Sequence, residues 1–247
     1  MQSERGNAGG GLLLGVALAV GLVLSAKIIS QALVEIRDAN QIVTVKGYAE
    51  RKIESNFGVW RGSFSQISPN LTAGYEAIKS DLSKVLAHLE GKSIQRDSIT
   101  VSGVEAVALY KQTEEGTETN QIEAYRLTQT VTVKLPDTAV IDRLSRESTE
   151  LMQQGIGFTS NPPEYYYTKI DELKIDMLAE AAKDAKTRAE RLVESTGDKI
   201  GSLRSAQQGV FQITPEYSTT VSDYGENDTN SLRKSIKAVV TMQFAVK

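Results

Sequence analysis

Residues 124–135 read AYRLTQTVTVKL. Leu127, Gln129, Val131, Val133 and Leu135 alternate with Thr128, Thr130, Thr132 and Lys134. Successive strand side chains point to opposite faces, so this period of two predicts a strand with one buried face. Pro136-Asp137 ends the strand and opens a helix carrying Val140, Ile141, Leu144 and Leu151, which Gly155-Ile156-Gly157 stops. A strand then runs to Tyr167. The next segment is the plainest helix in the chain. From Ile170 to Ser195, Leu173, Met177, Leu178, Ala181, Ala185, Ala189, Leu192 and Val193 share one broad face, Lys183, Asp184, Lys186, Arg188, Glu190 and Arg191 fill the other, and Gly197 caps it.

The same reading extends in both directions. Ile42 to Gly47 alternates β-formers with polar residues and stops at the glycine. Phe57 to Ile67, with Val59, Trp60 and Phe64, is a second strand, broken by Ser68-Pro69-Asn70. From Leu71 the spacing turns helical through Tyr75, Ile78, Leu82, Val85, Leu86 and Leu89, as far as Gly91. One strand is expected from Asp97 to about Tyr110, and a polar hairpin loop from Lys111 to Asn120. Downstream, a strand spans Ile200 to about Ile213, Pro215 to Ser231 is polar and turn-rich, and Lys234 to Val246 is a closing strand. Strands and helices intersperse, yet tight hairpins join several strands. That predicts an α+β fold with mixed or antiparallel sheets and packed helices over residues 39–247.

The N-terminus is of another kind. Between Arg5 and Lys27 there is no charge, and from Ala8 to Ala26 nearly every residue is apolar or Gly. About 20 such residues span the roughly 30 Å of a bilayer's hydrocarbon core. A cleaved signal peptide needs a basic leader and a shorter apolar stretch. Here Glu4 offsets Arg5 and the apolar stretch is long, so an uncleaved single transmembrane helix is expected over residues 8–38, after a short tail at 1–7. Basic residues are nearly balanced across it, so the N-inside orientation is a default. Gly11, Gly15 and Ala19 recur every four positions, as do Ala17, Gly21 and Ser25. That spacing lets helix backbones approach in lipid, although small residues are also common in membrane helices. Past Lys27, Ile28, Ile29, Ala32, Leu33 and Ile36 form one stripe of an amphipathic extension, to be covered by its own domain, a neighbouring subunit or lipid.

Composition narrows the chemistry. The 247 residues carry a net charge of −3 and no Lys/Arg run, which argues against a nucleic-acid partner. Without cysteine, disulfides and thiolate chemistry are absent. His88 is the sole histidine and has no evident partner, so it reads as a helix-end cation or surface residue. Glu114, Glu115 and Glu118 lie in one polar loop, and Glu216, Asp223, Glu226 and Asp228 in another; both read as solvated loops. No catalytic, metal-binding or cofactor-binding set emerges. Tyr165, Tyr166 and Tyr167, with Tyr217 and Tyr224, are candidates for a contact surface, although packing accounts for at least one of the first three. The alanine face of Ile170–Ser195 packs either its own sheet or a neighbouring subunit.

Several stretches resemble a known family. Val43-Thr-Val-Lys-Gly-Tyr-Ala-Glu-Arg51 resembles the opening strand of SIMPL-domain proteins, which include bacterial periplasmic immunogenic antigens. Ile94-Gln-Arg-Asp-Ser-Ile99 resembles that family's turn into its third strand, and Tyr125-Arg126 its central strand. Ala179 to Gly197 followed by Ile200-Gly201 resembles its long helix and exit strand. The Trp60 region and Ala206 to Phe211 resemble a membrane-anchored subgroup. The resemblance implies an extracytoplasmic α+β domain that assembles into rings, has no accepted catalytic residues and is linked to envelope stress. The expected function is therefore a scaffold: a homo-oligomer tethered by one helix in the bacterial inner membrane, its soluble domain periplasmic, with lipid as a further partner. The alternative is a binding module for an envelope protein or small ligand, using the polar hairpin loops. A hydrolase is a distant third, for want of a nucleophile–base pair.

Overall fold

The computed structural model describes residues 8–39 and 41–247, with side chains for 15–31 and 41–247. The tail read at residues 1–7 lies outside the described residues. Helix α1 runs Ala8–Ala39, about 48 Å at 1.5 Å per residue. The span expected over residues 8–38 extends beyond the described side chains at both ends. Among the described residues no helix is long and apolar enough to cross a membrane.

Strand β1 is Ile42–Glu54. It does not stop at Gly47, as the sequence pattern predicts, but runs through it. A Cβ at Gly47 would stand 2.0 Å from the carbonyl oxygen of Ala181 and 2.6 Å from the amide nitrogen of Ala185. The glycine marks a close helix–strand approach, a role that looks the same in sequence as a strand end. β2 follows at Phe57–Ser68 and α2 at Leu71–Gly91, where the Asn70 side chain accepts the Ala73 amide at 3.0 Å and caps the helix.

The single strand expected over 97–110 is two, β3 (Ile99–Val101) and β4 (Glu105–Gln112), after a short 3₁₀ turn at Arg96–Ser98. β5 is Glu118–Leu135, longer than the alternating core alone indicates. Ser102 explains the break. Its amide donates to the Thr130 carbonyl at 2.9 Å, its hydroxyl accepts the Thr130 amide at 3.0 Å, and its carbonyl accepts from Gln129 Nε2 at 2.8 Å. The chain departs from strand geometry there while staying tied to β5.

α3 is Thr138–Glu147, with the Asp137 carboxylate accepting the amides of Ala139 and Val140. A 3₁₀ segment continues it to Gln154, and Gly155 turns at φ 77°. β6 (Gly157–Ser160) and β7 (Glu164–Tyr166) are separated by Asn161-Pro162-Pro163, because proline has no amide for a ladder. α4 is Ile170–Glu194, followed by β8 (Ile200–Gln208), β9 (Gln212–Pro215), β10 (Glu226–Asn227) and β11 (Arg233–Val246).

One sheet is ordered β1-β11-β9-β10, with β8 also pairing β11; its β9–β10 pair is parallel. The other is ordered β3-β5-β2-β6, with β4 on β5 and β7 on β2, and its pairs are antiparallel. Among the described residues the fold is α+β with four α-helices and two mixed or antiparallel sheets, as the pattern predicts.

The chain divides into two compact units. One comprises Met1–Ala49, Ile175–Val210 and Ala238–Lys247; the other comprises Glu50–Lys174 and Phe211–Lys237. The first buries Met177, Ala181, Ala185, Ala189 and Val193 along α4, with Val45 and Ala49 of β1 and Ala238, Val240, Met242 and Phe244 of β11. The alanine face of α4 therefore packs within its own chain. The second unit is built on Trp60, Phe64, Leu127, Val131 and Val133 from its sheet, with Ile78, Val85 and Leu89 from α2 and Ile141 and Leu144 from α3. Trp60 is fully buried, 6.0 Å from the Phe158 ring centroid, and its Nε1 donates to Ser160 Oγ at 3.0 Å. Each such large side chain contributes about 1.5–3 kcal/mol by leaving water.

Candidate interaction surfaces

α1 has no polar side over residues 15–26. Its side chains from 15 to 31 are all exposed, Leu22 to 70%. Among the described residues, nothing lies within 4 Å of where a Cβ would stand at Gly15 or Gly21. Ala17 and Ala19 are exposed as well, and Ser25 Oγ donates to the Gly21 carbonyl at 2.8 Å. Of the stalk residues, Ile28 and Ile29 are exposed. Gly11, Leu33 and Ile36 lie outside the residues whose side chains are described. An apolar helix without a polar face is ordinarily covered by protein or lipid.

The tyrosine stretch separates by alternation. Tyr165 is 7% exposed and belongs to the core, with its hydroxyl 3.3 Å from Asp142 Oδ1. Burial raises its pKa. It is not part of a contact surface, because strand parity turns it inward. Tyr166 is exposed, and its hydroxyl donates to Glu164 Oε2 at 2.5 Å, while Arg61 holds Glu164 Oε1. Those two hydrogen bonds, Tyr166 first, keep the Glu164 carboxyl below its ordinary range. Tyr167 is half-buried.

The turn-rich segment 216–231 presents its aromatics outward. Tyr217 is 83% exposed and Tyr224 is 97% exposed. Tyr217 has φ 68°, a left-handed conformation that costs a non-glycine residue about 1 kcal/mol or more. Lys52 Nζ lies 2.9 Å from Glu216 Oε1 and 4.4 Å from the Tyr217 ring centroid. The hydrogen bond from Lys52 holds the Glu216 carboxyl below its ordinary range.

Lys234 anchors this segment, a role the sequence reading missed. Only 3% exposed, its Nζ donates to the carbonyl of Tyr165 at 2.6 Å and to that of Asp228. Burial pushes its pKa down. The Asp228 Oδ1 accepts the amides of Asn230 and Ser231. The available signal was parity: Lys234 shares a strand face with Ile236 and Ala238. His88, read as a helix-end cation or surface residue, is neither fully exposed nor favoured as a cation. It is half-buried, its enclosed Nε2 has no partner among the described residues, and burial first, then the Lys92 charge, lowers its pKa and favours the neutral ring.

The second unit also extends a two-stranded arm. β2 pairs with β5 only as far as Tyr125, so residues 118–124 have β4 as their sheet neighbour. The loop expected over 111–120 shrinks to a turn at Thr113–Thr117, with Gly116 at φ 81°. Val107, Tyr110 and Ile122 on this arm are exposed. At its base, Leu71, Thr72, Tyr75, Val104, Ala106 and Leu127 line an apolar groove of ≈ 370 Å³ between α2 and β4. Among the described residues, no group of three or more His, Asp or Glu side chains is placed to hold a metal ion.

The model of the SIMPL family, described as a protein of unknown function (DUF541), matches residues 43–244. The chain belongs to the SIMPL family. No curated protein matches it. The SIMPL match begins in β1 and ends in β11, so it takes in both sheets, α2 to α4, the β4–β5 arm and the tyrosine loop, and leaves α1 outside. The SIMPL description assigns no activity, and the surfaces above carry the functional argument.

Proposed function

We propose that this SIMPL chain is a scaffold that self-associates on a membrane, with α1 as a single-pass tether in the bacterial inner membrane and the SIMPL domain in the periplasm. The observation that carries the tether is the helix that is apolar all round over residues 15–26, in a sequence uncharged from residue 6 to residue 26. Exposed to water, that surface costs free energy at about 25 cal/mol per Å². Lipid removes the cost without any particular partner side chain. Tethered copies share one plane, which raises their effective concentration for weak lateral contacts. Small-residue faces at Gly15–Ala19 and Ala17–Gly21–Ser25 suit crowded helices. The resemblance to ring-forming, extracytoplasmic SIMPL proteins agrees with this reading, as does their link to envelope stress.

The test has two parts. The purified full chain should co-sediment with phospholipid vesicles, and a Leu18→Lys/Leu22→Lys variant should not. Light scattering of the detergent-solubilised chain should give a multiple of the monomer mass. A monodisperse monomer at micromolar concentration ends the scaffold reading.

A second reading, a binding module for an envelope protein or small ligand, is favoured by one observation. The strained, outward-facing Tyr217 stands with Tyr224 on a polar loop. Replacing the two outward tyrosines, Tyr217→Gly/Tyr224→Ala, should then abolish partner capture and leave assembly intact.

A further inference from the structure

The outer edge of β4 is chemically self-complementary. The strand reads Glu105-Ala-Val-Ala-Leu-Tyr-Lys111. Laid antiparallel to a second copy about Ala108, Glu105 faces Lys111, Ala106 faces Tyr110, Val107 faces Leu109, and Ala108 faces itself. Each opposition is favourable in kind: opposite charges, small against large, and aliphatic against β-branched. The two-fold symmetry makes each of the first three pairings occur twice.

Three features of the fold make this edge usable. Among the described residues β4 pairs with β5 on one side and with no other strand. The irregularities between β4 and β5 place the extra residues on β5: Leu109 faces Ala124 while Tyr110 faces Ile122, and Gln112 faces Glu118. β4 itself stays regular, so the bulge that commonly blunts an edge is not on the edge strand. Glu105 and Lys111 are exposed, and neither has an ion partner among the described residues.

The apolar groove supplies a seat. Ala106 belongs to it, beside Leu71, Tyr75 and Val104. In this register the partner's Tyr110 stands opposite Ala106, on the face where Ala106 meets the groove. An exposed ring and a vacant apolar groove are thus brought together by the operation that pairs the charges.

We propose that β4 is a homodimer contact, joining the six-stranded sheets of two copies edge to edge with the Tyr110 ring of each in the α2–β4 groove of the other. This rests on the reading of the chain as self-associating and names one of its contacts. An isologous contact of this kind closes on itself, so a larger assembly needs a second, different contact elsewhere on the chain.

The chain has no cysteine, so Ala108→Cys places one thiol on the two-fold axis. Directly opposed antiparallel residues have Cα atoms about 4.5–5.5 Å apart, within disulfide range. Oxidation of the full-length variant in detergent should yield a covalent dimer, and Ser83→Cys on α2 should not. Glu105→Lys alone and Lys111→Glu alone should each weaken dimerisation about tenfold or more, since two attractive pairs become repulsive. The double variant Glu105→Lys/Lys111→Glu restores both pairs and should return the wild-type constant. A wild-type particle that is oligomeric, with Ala108→Cys uncrosslinked and the charge variants unchanged in mass, overturns the β4 contact and leaves self-association standing. A monomeric wild type overturns both. Loss of assembly in the single variants without recovery in the double also overturns the register.

Discussion

The Nζ of Lys234 donates to the carbonyl oxygen of Tyr165 at 2.6 Å, so one buried ammonium ties β11 to β7 and, through the Asp228 carbonyl, to the tyrosine loop. A lysine so enclosed is costly to charge, and its carbonyl partners are costly to abandon. Lys234→Met keeps the stem and removes the donor. It should destabilise the chain by about 2–4 kcal/mol in urea denaturation, because two acceptors lose their partner.

The same group gives a pH signature. Its folded pKa lies below the unfolded value near 10.5. Between those values the unfolded chain binds more protons, so this residue's contribution makes stability rise with pH across that window. The difference between wild type and Lys234→Met, measured from pH 7 to 10.5, should show that rise; a flat difference would refute the assignment.

His88 is the only histidine, so its titration is directly visible as a single imidazole signal in proton NMR. The midpoint should lie below the ordinary 6.5, because burial and Lys92 both oppose the charged ring. The unfolded chain then binds the extra proton first, and stability falls as pH drops from about 6.5 toward the folded midpoint. His88→Gln should remove that component from a plot of Tm against pH between 7.5 and 5.

Gly47 leaves no room for a side chain against the backbone of α4. Gly47→Ala should cost about 2–3 kcal/mol through forced separation of strand and helix. Gly103→Ala is the control: among the described residues nothing lies within 4 Å of the added methyl, and Tm should not fall.

Tyr217 holds a positive φ that glycine adopts freely. Tyr217→Gly should leave Tm unchanged or raise it, against the usual effect of removing an aromatic side chain. If the loop binds a partner, the same variant should lose capture, separating stability from recognition.

The features legible in the sequence were those written in local periodicity. The alternation from Leu127 to Leu135 marked the strand at the centre of its sheet, and the spacing from Met177 to Ala189 marked the buried face of α4. Errors arose where tertiary contact set the local structure. Gly47 looks like a strand end in sequence because close packing against a helix leaves no local trace. The break at Ser102 depends on bonds to Thr130 and Gln129, some 27 residues away. Lys234 gives little signal in sequence because a charge within an alternating strand ordinarily points to solvent, and its acceptors, Tyr165 and Asp228, are brought to it only by the fold. Tyr165 looks like Tyr166 and Tyr167 in sequence because adjacency does not distinguish the faces of a short strand.

β11 pairs with β1, β8 and β9. All three leave the ribosome before it does. During synthesis, then, β1 waits with its ladder unfilled through nearly two hundred residues, and β8 and β9 are held apart from it. A message cut short before Arg233 would keep the β9–β10 pair but lose the one strand that joins β1, β8 and β9 into a single sheet.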